Sequence, residues 1–253
     1  MPTIVTWNMQ GGQGEAGTNA SKWASLTGAI TNPQSKNLTD APTVIFLQEC
    51  SDVPNWIVPT VWQQPTIPNV RCGSRNFGTQ TRPKCYFIAH YNWGNGNNRV
   101  SFALLIQTTA FMTGTEISSE DLCARVTVIS PTNPAHRPLI GVQNNGVTWY
   151  SMHAPSTSNA QTSRDYVTGV IANVPQGTQY VIGGDFNCAP VDMSMGLNAL
   201  PPQQLYPGTQ STCGTRILDY FTTNGNGNAG LTLNNVRNIP LLSDHSAVAT
   251  DHY

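Results

Sequence analysis

Asp185 and Asn187 stand two positions apart, directly after the apolar run Tyr180-Val181-Ile182 and two glycines. In an extended chain, residues i and i+2 share a face. The pair therefore offers a carboxylate, a carbonyl oxygen and an amide donor on one side, a set suited to holding a hard cation or an attacking water against a phosphate. Five other segments deliver polar groups in the same way. Asn8 closes the alternating stretch TIVTWN, and Glu49 follows the continuously apolar TVIFLQ. A carboxylate after such a run either sits at the mouth of the sheet or is costly to leave unpaired inside, which makes Glu49 a metal-ligand candidate. His153 ends VTWYSMH, Asp219 interrupts RILDYF, and Asp244 with His245 lies in LLSDHSAV. A buried Asp219 calls for a partner, and His245 is the obvious one. Hydrolysis of a phosphodiester needs neutralised non-bridging oxygens, a deprotonated water in line and a protonated leaving oxygen. A cation, a histidine–carboxylate pair and a second histidine supply these.

The elements that must position these groups follow from hydrophobic period and punctuation. Apolar continuity over 43–49 predicts a central strand buried on both faces. Trp23, Leu26 and Ile30 recur at helical spacing over 20–31, and Tyr166, Val167, Val170, Ile171 and Val174 do so over 163–174; Pro33 and Pro175 stop the two helices. Residues 86–91 and 99–107 read as a hairpin around NWGNGNN. Strands are expected over 3–8, 122–130, 138–142, 180–182 and 216–221, and Asn144-Asn145-Gly146 turns the chain into 147–153. A short helix is expected over 193–200. With no Ser/Gly/Pro linker visible, residues 1–253 are expected to form a single domain.

Hydrophobic residues make up 39% of the 253 and charged residues 10%, so a sizeable core is possible under an unusually uncharged surface. The net charge of −1 argues against a general polycation binder. Locally, no acidic residue falls between Asp52 and Glu116, whereas Arg71, Arg75, Arg82, Lys84 and Arg99 do. That segment is either a phosphate-facing surface or an ordinary solvated face. The six cysteines lack CxxC spacing and hence the pattern of a zinc site; their even number fits an oxidising compartment. The expected disulfides are Cys72–Cys85 and Cys188–Cys213, with Cys50 and Cys123 unassigned. No apolar run reaches the roughly 18 residues a membrane helix needs. No leader opens the chain, so a secreted protein would be in its mature form with Met1 added or retained. No run of basic residues reads as a nuclear-import signal.

The ordered set WN, QE, a strand-end histidine, GDFN, LDYF and SDH resembles the endonuclease/exonuclease/phosphatase superfamily, with its deoxyribonuclease I-like fold. In the middle of the chain, Gly78 to Pro83 (GTQTRP), Tyr86-Phe87-Ile88, Asn98-Arg99-Val100 and Arg137 to Gly141 (RPLIG) resemble passages of the catalytic B subunit of cytolethal distending toxins. The resemblance spans nearly the whole chain. It implies a four-layered α/β sandwich, two packed mixed β-sheets flanked by helices, and Mg²⁺-dependent nicking of DNA, with Mn²⁺ or Ca²⁺ as alternative cations. It further implies a secreted genotoxin component that works in the host cell nucleus, with delivery or binding subunits as partners. Carried onto this sequence, Glu49 and Asn8 would hold the metal with Asp244 beside it. Asp185 and Asn187 would position the water or phosphate, and His245, oriented by Asp219, would be the general base. His153 would donate a hydrogen bond or proton to the phosphoryl or leaving oxygen, and Arg82, Arg99 and Arg137 would contact DNA phosphates. The same motifs also fit a phosphoinositide phosphatase, or a catalytically inactive binding subunit. One departure concerns His153. In the pancreatic-type enzyme a glutamate from the region after QE pairs with the equivalent histidine, and residues 53–115 here contain no acidic residue, so a less basic imidazole is expected.

Overall fold

The computed structural model describes residues 2–10, 18–57, 63, 65–93, 100–108, 118–156, 159–197, 204–224 and 233–252. Alternation along the strands builds the architecture. In β1 (Thr3–Asn8), Ile4 faces one way and Val5 and Trp7 the other; in β2 (Val44–Gln48), Val44 and Phe46 oppose Ile45 and Leu47. The same sorting separates Trp149 from Tyr150 and Met152 in β8 (Val147–His153), and Val181 from Tyr180 and Ile182 in β9 (Gln179–Asp185). One set of faces forms the interior between two sheets, where Phe46 meets Trp149 at 6.5 Å and Phe221 at 6.1 Å between ring centroids. The outer faces are covered by helices. Trp23, Leu26 and Ile30 of α1 (Asn19–Thr31) pack on the first sheet, and Tyr166, Val167 and Val170 of α3 (Ala160–Ala172) pack on the second. Two mixed sheets with helices outside make the expected four-layered α/β sandwich.

The seven-stranded sheet runs β12 (Leu233–Ile239), β13 (Ala247–His252), β1, β2, β5 (Phe102–Gln107), β4 (Cys85–Tyr91), β3 (Val70–Asn76). The six-stranded sheet runs β10 (Gln204–Pro207), β11 (Asp219–Thr223), β9, β8, β7 (Leu139–Asn144), β6 (Val126–Ile129). Among these strands, β1 with β2 and β8 with β9 are the parallel pairs; the other pairs are antiparallel. The two parallel pairs lie at the centres of their sheets, so Asn8, the residue after Gln48, His153 and Asp185 end on one rim. Strand β11 runs antiparallel to β9 with Asp219 opposite Asp185, so its beginning joins that rim. The beginning of β13 does likewise, since Thr6 pairs with Val248.

Tight packing sets the glycines of β9. A Cβ on Gly183 would lie 2.6 Å from Phe46 Cδ2 across the interior, and one on Gly184 would lie 2.1 Å from the Met152 carbonyl oxygen. Only glycine lets the two sheets and the two central strands approach this closely.

The structure corrects several expectations. Residues 122–124 belong to helix α2 (Ser119–Ala124) rather than a strand, because the Ser118 hydroxyl caps the helix by accepting from Asp121 N at 3.0 Å and Glu120 and Asp121 fall in its first turn. The short helix α4 (Pro190–Leu197) starts at Pro190, where a missing N–H is harmless. Asp219 is the first residue of its strand, not an interior one. The cysteines are all free thiols. On the β3–β4 ladder Cys72 opposes Ala89 and Cys85 opposes Asn76, which separates them by four residues along the strands. Cys188 packs in the core beneath α3, whereas Cys213 lies beside Asp244 and His245. Among the described residues no helix is long and apolar enough to cross a membrane.

Candidate active site

His245 anchors the rim. Its Nδ1 lies 2.8 Å from Asp219 Oδ2, and Asp219 is itself fully buried. The start of β11 is pinned by Thr212, whose hydroxyl accepts from Leu218 N at 2.9 Å and Asp219 N at 3.1 Å. Asp185, 1% exposed, extends the dyad: its Oδ2 is 3.9 Å from His245 Nδ1 and accepts from Asn8 Nδ2 at 2.9 Å. Asp185 Oδ1 accepts from the Asn187 backbone N–H at 2.8 Å, an Asx turn that puts Asn187 at φ +47°. The Asn187 side chain then donates to the Ala154 carbonyl oxygen at 2.9 Å, tying the ends of β8 and β9 together. On the other side, His153 Nε2 is 3.6 Å from Asp185 Oδ2, and His153 Nδ1 is 3.7 Å from Glu49 Oε1. Glu49 has just left its strand, at φ +49°.

Electrostatics separate the two histidines. Burial alone would lower His245, but the hydrogen bond and charge of Asp219, then the charges of Asp185 and Asp244, outweigh it and hold the imidazole up at about 9. His153 is driven well below the ordinary histidine value by burial, then by Arg137 and His245. It is neutral, so its approaches to Glu49 and Asp185 are contacts rather than ion pairs. Asp185 is pushed up to about 7, first by burial and then by the neighbouring charge of Asp219. Two carboxylates packed this closely, with Asp219 Oδ1 buried and lacking a hydrogen-bond partner among the described residues, leave negative charge that a cation would relieve.

One atom each from Asp185, Asp219 and His245 forms a set whose members lie within 4.8 Å of one another. With the nearby Glu49 carboxylate, the rim presents hard oxygen donors that fit a divalent ion, while Asn8 turns its Nδ2 to Asp185 and its Oδ1 accepts from Gln10 N at 2.8 Å. Asp244 departs from expectation: it is exposed and groups with Cys213 and His245, not with Glu49. Arg137 does reach the site. Burial lowers its guanidinium, opposed by the charges of Glu49, Tyr166 and Asp185, and its Nη1 is buried without a hydrogen-bond partner among the described residues. Arg82 does not. It sits in the β3–β4 turn, and the register places Tyr91, at the other end of β4, toward the rim; one strand length of about 20 Å intervenes. Arg99 lies outside the described residues.

Sequence reasoning missed the supports. Gln48, fully buried between the sheets, donates to Ser151 Oγ at 3.0 Å. Ser243 Oγ donates to the Asn8 carbonyl at 2.9 Å, joining two strand ends. Lys22, fully buried in α1, donates to the Met9 carbonyl oxygen. His90 Nε2 meets the Ser51 carbonyl at 2.9 Å, and Arg71 links His90 to Asp52. A buried lysine on an apolar helix face was the one legible signal among them, since such a charge must find a partner.

No family model matches the chain. It is 25% identical over 229 residues to the B subunit of the cytolethal distending toxin of Escherichia coli, covering 86% of this chain and 77% of that protein. The chain is similar to the B subunits of cytolethal distending toxins over most of its length. The solved structure described as CdtB, the biologically active subunit of that toxin, superposes with a TM-score of 0.71 at 25% identity, covering 99% of this chain and 97% of the other. An endonuclease/exonuclease/phosphatase family protein from Leptotrichia buccalis shares the fold, with a TM-score of 0.60 at 15% identity over the full length of both. The chain thus carries the nuclease- and phosphodiesterase-type fold of these proteins.

Proposed function

We propose that this chain is a Mg²⁺-dependent endonuclease that nicks DNA, the active subunit of a secreted genotoxin that reaches the host nucleus with delivery subunits. The observation that carries the reading is the convergence of the His245–Asp219 dyad with Asp185, Asn8, Glu49 and His153 on one rim. Glu49 and Asn8, with Asp185 beside them, would hold the cation, which when bound supplies charge neutralisation for the phosphate. Asp219 fixes the Nδ1–H tautomer of His245 and stabilises its charged form, so Nε2 is the nitrogen that takes a proton from water. Because that imidazole rests near 9 without a cation, relief of the surrounding negative charge is what brings it into the range of a working base. Asp185 and Asn187, locked by the turn between them, would align the water and the scissile phosphate. A neutral His153 would donate an N–H hydrogen bond to a phosphoryl or leaving oxygen. The unpartnered Nη1 of Arg137 would clamp a non-bridging oxygen. Asp244, outside this group, would act only by its charge.

Plasmid relaxation tests the reading: supercoiled DNA should be nicked with Mg²⁺ and left intact with chelator. Inorganic phosphate released from phosphoinositides, with no nicking, would instead assign a phosphatase. Neither product would leave a binding subunit.

A further inference from the structure

Beside the proposed catalytic group lies a second set of donors, which shares His245 with it and adds two side chains, Cys213 and Asp244, that the nuclease reading gives no ligand role. One atom each from Cys213, Asp244 and His245 falls within 4.8 Å of the others. Hard-cation chemistry has no use for a thiolate, whereas sulfur, imidazole and carboxylate together are the donor set of zinc. Bonds of about 2.0–2.3 Å in a tetrahedron put neighbouring ligands about 3.3–3.8 Å apart, so small side-chain rotations close the set.

The loops that carry the donors are already fastened to one another. Cys213 N donates to Arg216 O at 3.1 Å and Arg216 N returns the bond at 3.0 Å, with Gly214 at φ +57° making the tight turn. Ser246 N donates to Thr212 O at 2.7 Å, linking the Asp244-His245 loop to the cysteine loop. His245 is also oriented as a zinc ligand should be: its Nδ1 is engaged by Asp219, which leaves Nε2 as the nitrogen for a ligand once its proton is displaced. Burial, then the charges of Asp244, Asp185 and Asp219, raise the Cys213 thiol, opposed by Arg216. That field disfavours a bare thiolate but favours a dication in place of the thiol proton.

We infer that Cys213, Asp244 and His245 form an inhibitory site for Zn²⁺, with a fourth position open to water. Binding displaces the Cys213 thiol proton and the His245 Nε2 proton, both released to solvent, and leaves the Nε2 lone pair on the metal. The inhibitory half rests on His245 acting as the base; the binding half does not.

Cobalt(II), a spectroscopic stand-in for zinc, decides the site. The full chain should develop a thiolate-to-cobalt charge-transfer band in the near ultraviolet, and Cys213→Ser, which removes no group assigned to the reaction, should lack it. His245→Gln should weaken it. A band that never forms, or that survives in Cys213→Ser, overturns the site. For inhibition, zinc is titrated into plasmid-nicking reactions at saturating Mg²⁺. Changing even a residue that only orients a ligand costs about 10–100-fold in metal affinity, so Cys213→Ser should need about tenfold more zinc or beyond for half-inhibition, with unchanged basal nicking. Equal inhibition of the two proteins overturns the inhibitory half. Absence of nicking without zinc would count against the nuclease reading alone, because the cobalt band is read without DNA.

Discussion

His153 and His245 share a rim and a carboxylate neighbour, yet Asp219 and its companions hold one imidazole up at about 9 while burial and Arg137 drive the other well down. The proposed base must be neutral to act, so the rate should climb with pH through the titration of His245. Asp219→Asn removes the charge that raises it, so the acid limb of the pH–rate profile should move to lower pH while the maximal rate falls on the order of a hundredfold or more. A limb that stays in place would remove Asp219 from this role. His245→Ala and His153→Ala should each cost a comparable factor in Mg²⁺-dependent nicking. The arginines separate equally well. Arg137→Ala should lower kcat/KM by about 10–100-fold through loss of a charged hydrogen bond of roughly 1.5–3 kcal/mol. Arg82→Ala, on the far turn, should leave it unchanged. Asn8, Glu49, His153 and Asp185 were legible because each follows an apolar strand. Thr212 was not, because a capping hydroxyl among the many serines and threonines of this chain carries no sequence mark.

Among the elements, the central strands announced themselves and the edges did not. Strands β3, β10 and β12, edges of their sheets, were not expected, and β6, the remaining edge, was expected within a longer strand that is partly helix. An edge strand pairs on one side and need not bury both faces, so VRCGSRN and LNNVRNI carry too few apolar residues for a periodic signal. The disulfide expectation failed for a related reason: without the register of β3, the distance from Cys72 to Cys85 could not be judged. The glycines of β9 give a packing test. Gly183→Ala would press its methyl on Phe46 and should cost about 1–3 kcal/mol by overpacking. Phe46→Leu in the same chain should return part of that, a coupling readable as a double-mutant cycle in urea. Simple additivity would show that the sheets tolerate a wider gap there.

For the whole molecule, buried neutral histidines couple stability to pH. Burial lowers His90 and His252 to about 4, against 6.5 for the exposed group. Between those values the unfolded chain binds more protons, so the stability each confers is complete above 6.5 and drains away as pH falls toward 4, on the order of 3 kcal/mol apiece. Thermal melts should therefore show Tm dropping across that window, and His252→Gln should flatten the fall. A Tm that holds level from pH 7 to pH 4 would contradict their burial as neutral groups. The near-zero net charge of −1 gives a second test at this scale. Nonspecific DNA affinity should be modest, with a shallow slope against salt in fluorescence titrations.

The proposed reacting groups at Asn8, Glu49, His153 and Asp185 stand on the ends of the same four strands that fill the interior. Among the described residues no separate flap has to form before they meet, so warming the protein should not switch them off ahead of the rest. Enzymatic output measured on a heating ramp should persist to the cooperative melt and vanish with it. A preparation that loses its potency while its circular dichroism is still intact would have been poisoned by chemistry, not by heat.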